Sequence, residues 1–143
     1  MKEEIKIVLL TENELPFVIA IENLSFPFPW TPEQFVKNLP QFYCAKLDHK
    51  VVGFIGIEKV QDEVRITHMA VDPTYRRQGI GRLMLEEALK SKASKFILEV
   101  RESNSPARSL YESFGFKEAY RRKKYYNDNN EDAIVMYYEK KSA

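Results

Sequence analysis

Two glycines separated by one residue, Gly79 and Gly81, lie between a strand-like run and a helix-like run. The strand-like run ends at Val71, and a helical spacing of leucines begins near Leu83. Glycine lets the backbone approach a ligand closely, and the unpaired N–H groups at a helix start carry partial positive charge. This junction therefore predicts an anion-binding loop, and it restricts the chain to folds in which a helix directly follows a strand.

Three arginines around the glycines favour a phosphate or pyrophosphate as the anion. A glycine-rich turn with solvated arginines has the same pattern, so the loop alone leaves the ligand open. A dinucleotide-binding fingerprint is disfavoured, because Met84 stands where its third glycine belongs and residues 72–78 separate the strand from the first glycine. The residues expected to hold the anion are Arg76, Arg77, Gln78, Gly79, Ile80, Gly81 and Arg82.

The composition is that of a globular domain. The 143 residues, 44% of them hydrophobic, suit a single domain over residues 1–143 with one core. The 22 basic and 21 acidic residues nearly cancel, which argues against a general nucleic-acid binder. The longest apolar run, 51–57, is too short to span a membrane, and residues 1–4 lack a signal-peptide segment. We expect a cytoplasmic protein, a monomer or weak dimer, that binds neither nucleic acid directly nor membranes.

Apolar periodicity predicts the element order β-α-α-β-β-β-α-β-α-β-β. Thr11 and Glu14 have the spacing of a capping box, and Pro32 is typical of a first helical position. This order predicts a mixed α/β sheet, with a ligand beyond the strands that precede the helices from Gly79 and Ser105. The predicted strands are 5–10, 42–47, 51–59, 63–71, 95–100, 116–124 and 133–139, and the predicted helices are 11–24, 31–39, 83–89 and 105–114.

Cysteine and histidine add little chemistry. The single cysteine, Cys44, cannot form an internal disulfide, and its strand-like surroundings predict a small buried side chain. We expect His49 to be a solvated turn residue and His68 to be a packed strand residue, with a second catalytic base as the alternative for His68. No metal site is expected.

Five segments share their order and spacing with one known family. They are MAVDPTYRRQGIG at 69–81, LEVRESN at 98–104, LYESFGF at 110–116, YY at 125–126 and EDAIVM at 131–136. With Glu22 and FPW at 28–30, the similarity covers about residues 5–138. The chain thereby resembles the GNAT superfamily of N-acetyltransferases and, within it, the RimI-like enzymes that acetylate ribosomal-protein alanine and other protein N-termini. Archaeal and eukaryotic N-terminal acetyltransferases share the YY and EDA features, so the subtype stays open.

The resemblance implies the GNAT fold, a single domain with a mixed, mostly antiparallel twisted sheet of about seven strands flanked by about four helices. It also implies acetyl-CoA as cosubstrate, bound by the loop at 76–82. Asn104 would reach the cofactor arm through its amide, although an N-cap of the following helix is the alternative. The backbone of the preceding strand would contact pantetheine and thioester at Met69, Ala70 and Val71.

Amine attack on a thioester needs a base for the amine and a proton for the leaving thiolate. Glu99 is a candidate base, because a carboxylate inside the apolar run 96–100 is unusual. A solvated pair with Arg101, on the same strand face, is the alternative. A lone tyrosine is more often a core residue, but the resemblance assigns Tyr111 as the proton donor and Glu99 as the base.

The resemblance further implies an acceptor channel, entered by the α-amine of a protein N-terminus, with Glu22 available to an incoming ammonium group. A lysine or small-molecule amine acetyltransferase, or a non-catalytic coenzyme A-binding module, remains an alternative. The basic run 121–124 before two tyrosines is also typical of a nucleic-acid platform, although four charges on a strand more often form a solvated edge. The residues expected to wall the channel are Phe28, Trp30, Tyr125 and Tyr126.

Overall fold

The computed structural model describes residues 4–26, 29–37 and 42–140. Within these ranges, seven strands form one sheet in the order β1-β2-β3-β4-β5-β7-β6, accompanied by four α-helices. The predicted element order is confirmed. The elements are β1 Ile5–Leu9, α1 Leu15–Ser25, α2 Pro32–Lys37, β2 Phe42–Leu47, β3 Lys50–Val60, β4 Glu63–Val71, α3 Ile80–Leu89, β5 Lys95–Arg101, α4 Ser105–Ser113, β6 Lys117–Arg122 and β7 Ala133–Glu139.

The strand directions make the sheet mixed. β2 pairs antiparallel with β1 and β3, and β7 pairs antiparallel with β5 and β6. β4 and β5 are parallel, with Glu63–Ile66 opposite Lys95–Leu98. The predicted mixed, mostly antiparallel sheet is confirmed. Because β7 pairs with both β5 and β6, side chains of β5 and β6 can lie on the same face of the sheet with only one strand between them.

The chain divides into two compact units, Met1–Ile57 with His68–Lys90 and Glu58–Thr67 with Ser91–Ala143. In the first unit, α1 buries Leu15, Val18 and Ile21 at helical spacing. They join a core that contains Phe35, Phe42 and Phe54, all 0–1% exposed. Burying each such side chain contributes about 1.5–3 kcal/mol to folding.

A helix packs closely on another part of that unit. A Cβ at Gly53 of β3 would lie 3.0 Å from the Ala70 carbonyl oxygen and 3.2 Å from Cε of Met84 in α3. The absence of a side chain at Gly53 therefore lets β4 and α3 approach. Met84 and Ile80 are almost fully buried, which anchors the first turn of α3.

The second unit is organised by alternation along β5. Phe96, Leu98 and Val100 are buried, so Glu99 and Arg101 lie on the opposite face of the strand. The helix α4 contributes Tyr111, which is 7% exposed and whose ring lies 5.9 Å from Phe116. The chemically distinctive side chains of β5 are thus excluded from the core of this unit.

Three boundaries in the described residues differ from the sequence-based predictions by two residues or more. The capping box forms, with Glu14 accepting from the Thr11 N–H at 3.0 Å, but it caps a 3-10 turn that precedes α1. Helix α3 begins at Ile80, before Leu83. Strand β6 ends at Arg122, because Lys124 has a φ of +51° and donates its N–H to Asp132. None of the helices in the described ranges is long and apolar enough to cross a membrane.

Candidate active site

The glycine loop has the geometry of an anion site. Gly79 is the N-cap residue of α3 and has a φ of +79°, a conformation that favours glycine. A Cβ at this position would meet nothing within 4 Å, and no side chain of its own caps the helix start. The start of this ten-residue helix therefore has no side-chain cap. A pyrophosphate fits this cradle.

The loop before Gly79 is shaped by Asp72, a residue that sequence reasoning did not assign to the site. Its N–H donates to the Val52 carbonyl at 2.8 Å, and its carboxylate accepts from the Thr74 N–H at 2.9 Å. The signal was present, since Asp followed by Pro is typical of a capped turn. The side chain of Arg76 donates to the Val71 carbonyl at 3.4 Å, which keeps its charge beside the end of β4.

The structure places the other predicted cofactor residues of the first unit around this loop. Met69, Ala70 and Val71 form the last three positions of β4. Residues 76–79 are exposed, whereas Ile80 is 1% exposed and belongs to the core. The backbone of Ile80, rather than its side chain, is therefore the part that can meet a ligand.

Glu22 lies inside the first unit rather than on its surface. It is 1% exposed, and its Oε2 accepts the Trp30 N–H at 2.9 Å and lies 3.5 Å from Nε2 of His68. The Glu22 Oε1 and His68 Nδ1 atoms are buried without a hydrogen-bond partner among the described residues. The carboxylate therefore holds the Trp30 backbone and offers no accessible surface to an acceptor amine, contrary to the predicted substrate-binding role.

Burial favours the neutral forms of both Glu22 and His68. It raises the pKa of Glu22 above its usual 4.5, an effect that the Trp30 hydrogen bond opposes. It lowers the pKa of His68 from 6.5 to about 4. The centre of the Trp30 ring lies 4.3 Å from that of His68 and 5.5 Å from that of Phe35, so Trp30 and His68 are both packed among aromatic rings. Phe28, predicted beside Trp30, lies outside the described residues.

Glu99 occupies the exposed face of β5 in the second unit. Its side chain is 31% exposed, and its Oε1 lies 3.3 Å from Nε of Arg122. The alternative pair with Arg101 is wrong, because Arg101 binds Asp128 at 3.0 Å and Glu131 at 3.4 Å. Glu99 can therefore meet a substrate, and its counter-charge comes from β6.

Two tyrosines adjoin this carboxylate. The Arg101 guanidinium lies 3.9 Å from the centre of the Tyr126 ring, and Tyr125 packs edge-on against Tyr126 at 5.2 Å. Burial, and then the charge of Glu99, raise the pKa of Tyr126. Burial, and then Tyr126, raise the pKa of Tyr111 to about 12. Tyr126 therefore lies within electrostatic range of both Glu99 and Tyr111, and Tyr111 keeps its proton at neutral pH.

Asn104 and Glu131 fix the loops around these groups. The Asn104 Oδ1 accepts the Ala107 N–H at 3.3 Å, so the capping role is present, while the amide N–H groups can still donate. Glu131 accepts hydrogen bonds from the Ser103 N–H and the Asn129 amide. The Ser103 bonds are the main reason why the pKa of Glu131 falls to about 2. Sequence reasoning missed this role, although Glu131 stands in a motif of the resemblance.

No group of three or more potential metal-ligating side chains that could hold an ion occurs in residues 4–26, 29–37 and 42–140.

Comparison with known proteins identifies the family. Residues 38–118 match the profile described as the acetyltransferase (GNAT) domain. The chain is 39% identical over 117 residues to the ribosomal protein bS18-alanine N-acetyltransferase of Escherichia coli K12, an alignment covering 77% of this chain and 79% of that protein. It is 34% identical to the putative enzyme of the same name from Bacillus subtilis, over 96% of this chain and 97% of that protein.

A solved structure agrees with these sequence matches. The crystal structure of the ribosomal-protein-S18-alanine N-acetyltransferase from Escherichia coli aligns with a TM-score of 0.89 at 36% identity, covering 98% of this chain and 96% of that one. The mixed seven-stranded sheet with its four helices is therefore the GNAT fold. The chain belongs to the GNAT acetyltransferase family.

Proposed function

We propose that this chain is an acetyl-CoA-dependent N-acetyltransferase that acetylates the α-amine of a protein N-terminus, working as one domain over residues 1–143. The observation that carries the proposal is the exposed face of β5 in the second unit, where Glu99 is accessible and the neighbouring Arg101 lies against the Tyr126 ring. Family membership supplies the reaction class. A cytoplasmic location belongs to the same proposal, because ribosomal proteins are made there.

The glycine loop binds the cofactor in this proposal. Backbone N–H groups at 79–82 hold the pyrophosphate, and Arg76 and Arg77 add positive charge. The backbone of residues 69–71 contacts the pantetheine arm, and the Asn104 amide donates to it. Acetyl-CoA, when bound, supplies the activated acetyl thioester.

Glu99 and Tyr111 move the protons. A free α-amine has a pKa near 8, so a fraction is already neutral at physiological pH and a single carboxylate is enough to take its proton. The exposed position of Glu99 on β5 gives the amine or an intervening water access to it. Tyr111 is protonated at neutral pH, its pKa being raised further by burial to about 12, and it donates its proton to the departing thiolate.

The acceptor is an extended N-terminus. The sequence relatives from Escherichia coli and Bacillus subtilis are named for an alanine of ribosomal protein bS18, which makes a ribosomal-protein alanine the first acceptor to test. Tyr125 is 44% exposed and Tyr126 lies half-buried beside it, so they offer an aromatic wall to a peptide. Glu22 contributes by accepting the Trp30 N–H and so fixing the Trp30 backbone.

The test is a peptide panel assayed for acetyl-CoA turnover. Peptides with a free N-terminal alanine should react well, whereas N-terminally blocked peptides that contain lysine, free lysine and polyamines should not. Equal rates on the blocked lysine peptides would instead assign a lysine or small-amine acetyltransferase. Coenzyme A binding without turnover of any acceptor would indicate a binding module.

Variants then test the residue roles. Glu99→Gln and Tyr111→Phe should each lower kcat by about 10²-fold while coenzyme A affinity measured by calorimetry stays unchanged. Glu118→Gln is the matched control, because it likewise removes an exposed carboxylate. Glu118 lies on β6, and its Oε1 is 3.6 Å from Nε of Arg121. Near-wild-type kcat in both test variants, with chemistry rate-limiting, would remove Glu99 and Tyr111 from their roles.

A further inference from the structure

The guanidinium of Arg122 contacts two neighbours in the second unit. Its Nε lies 3.3 Å from Oε1 of Glu99, and its centre lies 5.3 Å from the middle of the Tyr125 ring. Such a planar cation, stacked on one ring and bonded at its edge, has a defined orientation.

The sheet register explains why Arg122 reaches Glu99. Ala133 of β7 lies opposite both Arg101 of β5 and Arg122 of β6. Glu99 lies opposite Val135, one row further along the same face of the sheet, so the Glu99–Arg122 contact runs diagonally across β7. The side chain of Ala133 is only a methyl group, so it leaves room for the side chains of Glu99 and Arg122 to meet across β7.

The neighbouring arginine has a different task. Arg101 is engaged by Asp128, Glu131 and the ring of Tyr126, all from the segment that follows β6. Arg122 is therefore the cation that faces Glu99. Its bond with Oε1 fixes one carboxylate oxygen, and a carboxylate has a second oxygen that can take a proton.

We propose that Arg122 is a positioning residue for the base, holding the Glu99 carboxylate in the orientation that receives the proton of the acceptor amine. This inference rests on the proposed role of Glu99. The Tyr125 ring ties the same guanidinium to the aromatic wall proposed for the acceptor. Because the Glu99 and Arg122 side chains are 31% and 44% exposed, their ion pair contributes little to folding, and its loss affects the reaction more than the fold.

The experiment is a double-mutant cycle on the full chain with a free-alanine peptide as acceptor. Arg122→Gln should lower kcat about tenfold, leave the KM for acetyl-CoA within about twofold, and leave the melting temperature unchanged. Arg122→Lys should recover most of the lost kcat, because a cation again faces Glu99. In the Glu99→Gln background, adding Arg122→Gln should cause no further loss, since Arg122 acts only through Glu99.

Arg121→Gln is the matched control. Arg121 is the adjacent residue of β6 and pairs with Glu102 at 2.7 Å, so its removal alters the same strand and the same net charge. A kcat for Arg122→Gln no lower than that of Arg121→Gln overturns the inference, as does an additional loss in the double variant. If Glu99→Gln itself reacts at the wild-type rate, the proposed base fails; if only the Arg122 variants are normal, the base stands and the positioning role alone is wrong.

Discussion

The buried His68 should make the stability of this protein depend on pH between 6.5 and 4. The side chain is 12% exposed, and burial lowers its pKa from 6.5 to about 4. The unfolded chain takes up the proton near pH 6.5, whereas the folded protein does so only near pH 4. Stability is therefore lost as the pH falls through this interval, and the loss is complete below pH 4.

The size of the effect follows from that interval. At about 1.36 kcal/mol per pH unit, lowering the pKa from 6.5 to about 4 corresponds to about 3 kcal/mol of unfolding free energy. The Glu22 carboxylate, 3.5 Å away, offsets part of this cost where it is ionised, so this figure is an upper bound. Glu22 also acts in the opposite sense, because its raised pKa removes stability as the pH rises above 4.5.

Urea unfolding of the wild type and of His68→Phe, from pH 4 to pH 8, measures the effect. Phenylalanine cannot titrate, and it suits a site lined by the rings of Phe26, Trp30 and Phe42. The fall in unfolding free energy between pH 6.5 and 4 should be smaller in the variant by up to about 3 kcal/mol. In the control variant His49→Gln, which changes a residue in the exposed turn after β2, the unfolding free energy should fall as much as in the wild type. Parallel curves for wild type and His68→Phe would refute the argument.

Two further outcomes follow from the loop and from the cysteine. Gly79→Val should weaken coenzyme A binding at least tenfold, about 1.4 kcal/mol, as measured by calorimetry. A φ of +79° disfavours a β-branched residue, and the valine side chain would stand where the pyrophosphate approaches. Unchanged affinity in a folded variant would exclude the loop from the binding site. Cys44 is fully buried, and burial raises the pKa of its thiol to about 11. Iodoacetamide should therefore label it only as fast as the protein unfolds, and rapid labelling of the native protein, detected by mass spectrometry, would contradict this.

Local patterns predicted the elements well because their causes lie within a few residues. The capping box of Thr11 and Glu14 needs only a spacing of three, and it forms as expected. The glycine at the N-cap of α3 likewise follows from the conformation of one residue, φ +79° at Gly79. Burial of Cys44 was readable from its strand-like neighbours.

Predictions of partners were less accurate, because a partner depends on which strands become neighbours. The spacing of two residues suggested Arg101 for Glu99, yet the sheet inserts β7 between β5 and β6 and brings Arg122 across it. Glu22 was predicted to meet an acceptor, and the structure buries it against Trp30 and His68. Its position beside Ile21 in the apolar stripe of α1 indicated burial, but not the groups that would surround it.

The sequence by itself determined the order of the elements, and it predicts an anion loop from Arg76 to Arg82, because each depends on a short run of the chain. The tertiary structure alone decided that Arg122 faces Glu99, how deeply Glu22 and His68 are buried, and that the Arg101 guanidinium lies against the Tyr126 ring. These properties depend on strand register and on burial, and both arise only when segments distant in the chain pack together.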